Sequence, residues 1–126
     1  MQPVFSLIVP VFNRPTEVDE LLASLMQQTL KNFEVVIVED GSTVACDKIT
    51  DKYAQTLQIN YVSQTNTGPG PARNHGASLA KGSYLVFLDS DVILPPQFIE
   101  TVNTFLANHP LDCFGGPDKA HPSFTP

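Results

Sequence analysis

The sequence predicts an α/β fold: a mostly parallel, open sheet with helices on both faces. Three observations carry that expectation. Short β-branched runs alternate along the chain with segments of helical period, an order that implies βαβ crossovers and a parallel sheet. The runs are apolar at nearly every position, as strands covered on both faces are. Polar clusters bearing Asp, Asn or Gly follow the runs, where the loops of such a sheet gather.

The elements follow in order. Val4 to Val11 is a near-continuous apolar run and the first strand. From Pro15 the period changes: Val18, Leu21, Leu22, Leu25 and Met26 follow the i, i+3, i+4, i+7, i+8 spacing of a helix with one apolar stripe. Phe33 to Val38 is the second strand, and Asp40-Gly41-Ser42 reads as a turn in which glycine supplies φ > 0. A weaker helix spans about Ala45 to Leu57, with Ile49 and Tyr53 on one face, and Gln58 to Val62 is a short third strand. Thr65 to Pro71 is a loop, with Pro71 suited to the first turn of the next helix. Gly82 is expected to cap that helix at its C-terminus. Ser83 to Leu88 reads as a buried strand ending at Asp89. Pro95 and Pro96 open a last helix with Phe98, Ile99, Val102, Phe105 and Leu106 on its buried side. A single domain over residues 1–110 accounts for these elements. Residues 111–126, with Gly115-Gly116-Pro117 and no closing element, read as the start of a further region, so the fold is expected to be truncated.

A chain of 126 residues buries roughly two-thirds of its unfolded surface, enough for one core. Seven Lys and Arg stand against 13 Asp and Glu, a net charge of −6, and the cations are scattered. Nucleic acid is excluded as a partner, because phosphate neutralisation needs a basic stripe. An acidic protein that binds an anion must use a metal ion or local donors. Cys46 and Cys113 lack metal-ligand spacing; they read as free thiols of a reducing cytosol, with one disulfide as the alternative. The N-terminus is a strand and not a signal peptide. No apolar run approaches the roughly 20 residues of a membrane span. The expected location is cytoplasmic, with the inner face of a membrane open to a longer parent protein.

Three polar clusters stand at strand ends: Phe12-Asn13, Glu39 to Ser42, and Asp89-Ser90-Asp91. Asn66 to Gly76 precedes the strand that delivers the last. Asp89 and Asp91 are two carboxylates that repel each other unless a cation or donors lie nearby. Mg²⁺ and Mn²⁺ are often held by one or two such groups together with substrate phosphates; capping the turn is the structural alternative. Asp40 suits a nucleobase N–H or a ribose hydroxyl, or else a turn or N-cap. Arg73 suits a base carbonyl or a phosphate, or else a solvated surface. Gly68 and Gly70 allow close approach of backbone to ligand or simply make a loop. Phe12 is placed to stack on a base or to pack in the core, and His75 reads as a helix-surface residue. No Gly-x-Gly-x-x-Gly follows the first strand and no Gly-x-x-x-x-Gly-Lys-Ser/Thr occurs, which argues against dinucleotide oxidoreductases and P-loop NTPases.

These clusters, in this order, resemble the family 2 glycosyltransferases with the A-type nucleotide-sugar-binding fold. Ser6 to Asn13 resembles the family's opening strand, and Phe33 to Ser42 its second strand and Asp-Gly-Ser turn. Asn66 to Gly76 is similar to its Asn-x-Gly…Ala-Arg-Asn-x-Gly segment, and Tyr84 to Asp91 to its strand and Asp-x-Asp motif. The resemblance implies that Asp40 recognises the base, commonly uracil, while the backbone around Pro10 and Phe12 lines its pocket. It implies that Arg73 lies near the nucleotide, Asp89 binds ribose or sugar, and Asp91 coordinates a divalent Mn²⁺ or Mg²⁺ that holds the diphosphate. Glu39 departs from the Asp of many members, which puts its part in base binding in doubt. No residue takes the catalytic role: the family's general base is expected beyond Pro126, with the acceptor-side region that residues 111–126 begin, and nothing singles out Asp112 or Asp118.

The implied reaction transfers a sugar from a nucleotide-sugar, UDP-linked, to an acceptor hydroxyl on a glycan, lipid or protein, with inversion, in polysaccharide or glycoconjugate biosynthesis. This chain is expected to keep donor binding and lack efficient transfer. Two alternatives accompany that expectation. One is a non-catalytic module that self-associates through an uncovered sheet edge and apolar face. The other is a sugar-phosphate nucleotidyltransferase, against which stands the lack of a lysine-bearing glycine loop after the first strand.

Overall fold

The computed structural model describes residues 2–108. Cys113, Asp112, Asp118, the 110/111 boundary and the Gly115-Gly116-Pro117 segment lie outside them. Four strands and four helices alternate: β1 (Phe5–Val11), α1 (Pro15–Met26), β2 (Phe33–Asp40), α2 (Asp47–Tyr53), β3 (Ile59–Gln64), α3 (Pro69–Leu79), β4 (Tyr84–Phe87) and α4 (Phe98–Asn108). All strand pairs are parallel, in the order β3-β2-β1-β4.

Side-chain alternation along the strands divides the core. Leu7, Val9, Val11, Val35 and Ile37 face one layer, where Val18, Leu21, Leu22 and Leu25 of α1 and Phe98, Ile99, Val102 and Leu106 of α4 pack against them, with Ile49 and Tyr53 of α2 alongside. Ile8, Val36 and Val38 face the other layer, under Ala72 of α3. Helices thus cover both faces. Val18, Leu21, Leu22 and Leu25 of the α1 stripe are fully buried and Met26 is half-buried; each such leucine contributes about 1.5–3 kcal/mol.

Three element boundaries and one burial pattern are corrected by the structure. β2 runs on through Glu39 and Asp40, because β1 and β3 still pair there: Val11 is opposite Glu39 and Asp40 opposite Gln64. Asp40 is therefore the last residue of a strand and not part of the turn. α2 is shorter than the 45–57 pattern, with Thr50 its buried residue. α3 starts at Pro69 and stops at Leu79, followed by an extended Ala80, so Gly82 is not its cap. Glycine at 82 serves close approach instead: a Cβ there would lie 2.7 Å from Ser6 Oγ and 2.8 Å from the Phe5 carbonyl carbon.

The fourth correction concerns β4. It is an edge strand among the described residues, and its burial alternates. Tyr84 and Val86 pack into the core, while Leu85 and Phe87 are 41% and 49% exposed. Their partners on β1, Ser6 and Ile8, lie on the α3 face, and α3 packs chiefly over β1 and β2.

Candidate functional site

The chain steps from β1 to β2 to β3 in one direction, then returns to place β4 on the far side of β1. This reversal makes a topological switch point beside β1, and in open parallel sheets ligands bind outside the carboxyl ends of the strands at such a point. Phe12 and Asn13 leave β1 there, Glu39 and Asp40 end β2, Gln64 ends β3, and Asp89 follows β4. The edge thus gathers the predicted clusters.

Asp40 follows Val36 and Val38 on the α3 face of β2 and is 4% exposed. Its Oδ1 accepts from Gln64 Nε2 at 3.0 Å and from the Thr67 amide at 2.9 Å; Oδ2 accepts from the Gly68 amide at 3.0 Å. Asn66 Nδ2 donates to its backbone carbonyl at 2.9 Å. Asp40 is thus the anchor of the 66–68 loop. A carboxylate has about four acceptor sites; three are filled, and the open one is on Oδ2. Burial alone would raise its pKa, but the bonds from Gln64, Thr67 and Gly68 outweigh burial and hold it below the ordinary 3.8. A depressed carboxylate contributes stability that is fully present above its unfolded value and lost as pH falls through the folded one. The stability gap between wild type and Asp40→Asn, read from urea midpoints, is therefore expected to be open above pH 3.8 and to close on further acidification. A gap that stayed constant into strong acid would contradict this role.

Glu39 points to the opposite face. Its carboxylate is 2% exposed and accepts from the Cys46 amide and the Tyr61 hydroxyl, both at 2.8 Å, and from Ser42 Oγ. It is a structural hub beneath α2, away from the face on which Asp40 lies. Burial, then the Glu39 carboxylate, push the Cys46 thiol up to about 12, so Cys46 is no nucleophile. Asn13 holds the same loop from β1. It sits at φ 54°, a region asparagine tolerates, and its Oδ1 accepts from the Thr43 and Val44 amides at 2.8 and 3.0 Å. Phe12 is 51% exposed, which sets aside core packing, and half-buried Pro10 pairs with Val38.

Leu88 still bonds to Ile8 O at 2.9 Å, so Asp89 leaves the sheet at a fixed point. The segment beyond is tied to α1 and the residues just after it: Leu94 N donates to Ser24 Oγ at 3.2 Å, and Gln28 Nε2 to Pro95 O at 2.7 Å. Asp89 and Asp91 are both exposed. Arg73 Nη2 lies 3.7 Å from Asp89 Oδ1; an exposed pair of this kind is worth about 0–1 kcal/mol, so little holds the two groups together. Asp91 makes no hydrogen bond or ion pair among the described residues.

The first turn of α3 offers little to an anion. Of its first four amides, Pro69 and Pro71 lack the proton and Gly68 donates to Asp40, which leaves Gly70. A phosphate group here must find its positive charge in Arg73 or in a cation. No cluster of three or more His, Cys, Asp and Glu forms a metal cage among the described residues. Two exposed carboxylates, Asp89 and Asp91, are the oxygen ligands this edge offers, of the kind Mg²⁺ and Mn²⁺ take one or two at a time together with waters and phosphates.

Of the predicted residues, the fold brings Arg73 to Asp89 and sets Asp40 under the loop that starts the Arg73 helix. Two participants were missed. Gln64 bonds both Asp40 and Thr67 Oγ1, and His75 Nδ1 lies 2.7 Å from Gln64 Oε1. Gln64 stood between the strand read as Gln58 to Val62 and the loop read from Thr65, and the β2–β3 register brings it beside Asp40.

Residues 6–122 match the family described as "Glycosyl transferase family 2". Validoxylamine A glucosyltransferase of Streptomyces hygroscopicus subsp. jinggangensis is 39% identical over 104 residues, which is 79% of this chain and 25% of that protein. The putative glycosyltransferase EpsH of Bacillus subtilis is 38% identical over 99 residues, 78% of this chain and 29% of that protein. Among solved structures, S. aureus TarS 1–349 in complex with UDP-GlcNAc superposes with a TM-score of 0.79 at 37% identity, covering 83% of this chain and 31% of that one. Mannosyltransferase PcManGT from Pyrobaculum calidifontis, in complex with GDP-Man and Mn²⁺, gives 0.75 at 26% identity, covering 85% and 33%. The chain spans between a quarter and a third of the length of these proteins.

Proposed function

The chain belongs to glycosyl transferase family 2, and from that premise we propose that it is the donor-binding part of an inverting, metal-dependent glycosyltransferase using a UDP-sugar. The observation that carries the reading is the composition of the switch-point edge: a carboxylate held ionised at the end of β2, and an arginine drawn to the first of two exposed carboxylates after β4.

Asp40 receives a base N–H on the open side of Oδ2. An anionic acceptor there favours uracil, whose N3 carries a proton, over cytosine, whose N3 is itself an acceptor. Pro10 and exposed Phe12 line the base from the end of β1. Arg73 lies beside the nucleotide, Asp89 takes the ribose or sugar, and Asp91 holds the divalent metal. When bound, that cation neutralises charge developing on the leaving diphosphate. Arg73, released from Asp89, adds a second positive charge, which the α3 amides largely cannot supply. The acceptor hydroxyl needs a general base; no residue of 2–108 is assigned that role.

Titration calorimetry with UDP and Mn²⁺ tests the reading. UDP is expected to bind with a Mn²⁺ requirement, CDP about tenfold or more weaker, and Asp91→Ala to lose about tenfold or more of the Mn²⁺-dependent affinity. Binding that is indifferent to both Mn²⁺ and Asp91→Ala would overturn it.

One observation favours a second property. Leu85 and Phe87 are exposed on a strand that is an edge among the described residues, the kind of surface that pairs with another chain. Self-association of this chain is expected to appear in light scattering and to fall with Leu85→Lys; a strictly monomeric species at high concentration would rule it out.

A further inference from the structure

We propose that His75 is a positioning residue for the nucleobase pocket, acting through Gln64 to fix the orientation in which Asp40 meets the base; the proposal rests on the donor-binding reading above.

The placement of His75 begins with its neighbour. A Cβ on Gly76 would lie 2.5 Å from Ile8 Cγ2 and 3.2 Å from Val38 Cγ2. Only glycine lets α3 sit this low on the sheet, and that brings His75 within 2.7 Å of Gln64. Asp40 and Gln64 are register partners at the ends of β2 and β3, so their side chains share the α3 face.

The bonding sequence has a single polarity. The Gln64 amide oxygen can only accept, so His75 Nδ1 must be the donor. The Gln64 amide nitrogen then faces two acceptors, Asp40 Oδ1 at 3.0 Å and Thr67 Oγ1 at 2.8 Å. Turning the amide over would set its oxygen against the acceptor-only Asp40 carboxylate, so Asp40 fixes which way the amide faces and, with it, the His75 tautomer that carries the proton on Nδ1. His75 thus anchors the oxygen end of the Gln64 amide while its nitrogen occupies one of the acceptor sites of Asp40 Oδ1. With the Thr67 amide on the same atom, Oδ1 is closed and Oδ2 is the atom left for a base. Without His75, the amide is held at its nitrogen end alone, the side chain is less firmly fixed, and Oδ1 is more open to competing donors and water.

Paired substitutions separate this from a packing role. His75→Ala removes the donor; His75→Asn keeps one, since the Asn Nδ2 occupies nearly the place of Nδ1. UDP and CDP affinity by calorimetry with Mn²⁺, amide exchange at Thr67 and Gly68, and urea midpoints are measured on the 126-residue chain. His75→Ala is expected to weaken UDP about five- to tenfold, to leave CDP little changed so that discrimination falls, and to speed exchange at Thr67 and Gly68. His75→Asn is expected to restore all three. Unchanged UDP affinity and exchange in His75→Ala would overturn the proposal. So would a parallel loss for UDP and CDP with a lowered urea midpoint, the mark of a packing residue. If the wild-type chain does not bind UDP, the donor-binding reading fails by itself. Exchange at Thr67 and Gly68 then decides the relay, supporting it if accelerated in His75→Ala and restored in His75→Asn, and overturning it if not.

Discussion

Replacing Gly41 by alanine is expected to cost the domain about 2–5 kcal/mol, read as a lowered urea midpoint together with weaker UDP binding. Two effects add. Gly41 sits at φ 73°, where an L-residue costs about 1–2 kcal/mol. The new methyl would also stand 2.7 Å from Asn66 N and 2.8 Å from Asn66 Cβ, an overpacking of about 1–3 kcal/mol. The obstruction includes backbone, which cannot rotate aside as a side chain would. If the loop yields, it must break bonds from Asn66, Thr67 and Gly68 to Asp40. That outcome would show as a binding loss larger than the stability loss. Against a typical domain stability of about 5–15 kcal/mol, either result is large. A variant with wild-type midpoint and wild-type UDP affinity would refute the assigned packing of residue 66 on residue 41.

Removing the buried Glu39 carboxylate is expected to have the next largest effect. Glu39→Ala leaves the Cys46 amide, the Tyr61 hydroxyl and the Ser42 hydroxyl without their acceptor. An unsatisfied buried donor costs about 1–3 kcal/mol; the half-buried Tyr61 and Ser42 regain water, so about 2–4 kcal/mol is expected in total. Glu39→Gln is the informative companion. Its amide oxygen can still accept from Cys46 and Tyr61, while its nitrogen can donate to Ser42, so it should recover most of the loss. Equal destabilisation by Ala and Gln would mean that charge, and not acceptor geometry, matters at this position. UDP selectivity should be untouched by Gln, because Glu39 lies on the face away from Asp40.

The elements that follow from periodicity were legible along the chain. The α1 stripe of Val18, Leu21, Leu22 and Leu25 is buried as its spacing requires, since a 3.6-residue period can present such positions to one layer only. β1 and β2 were equally plain, because their unbroken apolar runs need cover on both faces. At the site, Asp89 and Asp91 could be placed at a strand end from local sequence alone. The same holds for the turn at Gly41, where φ is positive.

What the chain could not announce depends on partners distant in sequence. Whether Glu39 and Asp40 belong to strand or turn is set by pairing with β1 and β3, and that pairing sends their side chains to opposite faces. One becomes a buried hub, and the other the anchor of the loop. Leu85 and Phe87 match the apolar pattern of a covered strand, yet they are exposed because α3 packs chiefly over β1 and β2, on the side of the sheet away from β4. Gln64 and His75 gain their roles only because parallel register and the missing Cβ of Gly76 bring α3 onto the end of β3. By itself, then, the sequence determined the α/β alternation and the acidic pair after β4, which are properties of local pattern. Tertiary structure decided which face each polar residue occupies and which hydrogen bonds it spends there. A strand's side chains alternate with a period of two, so a boundary shift or a change of neighbour reassigns every contact without altering the pattern.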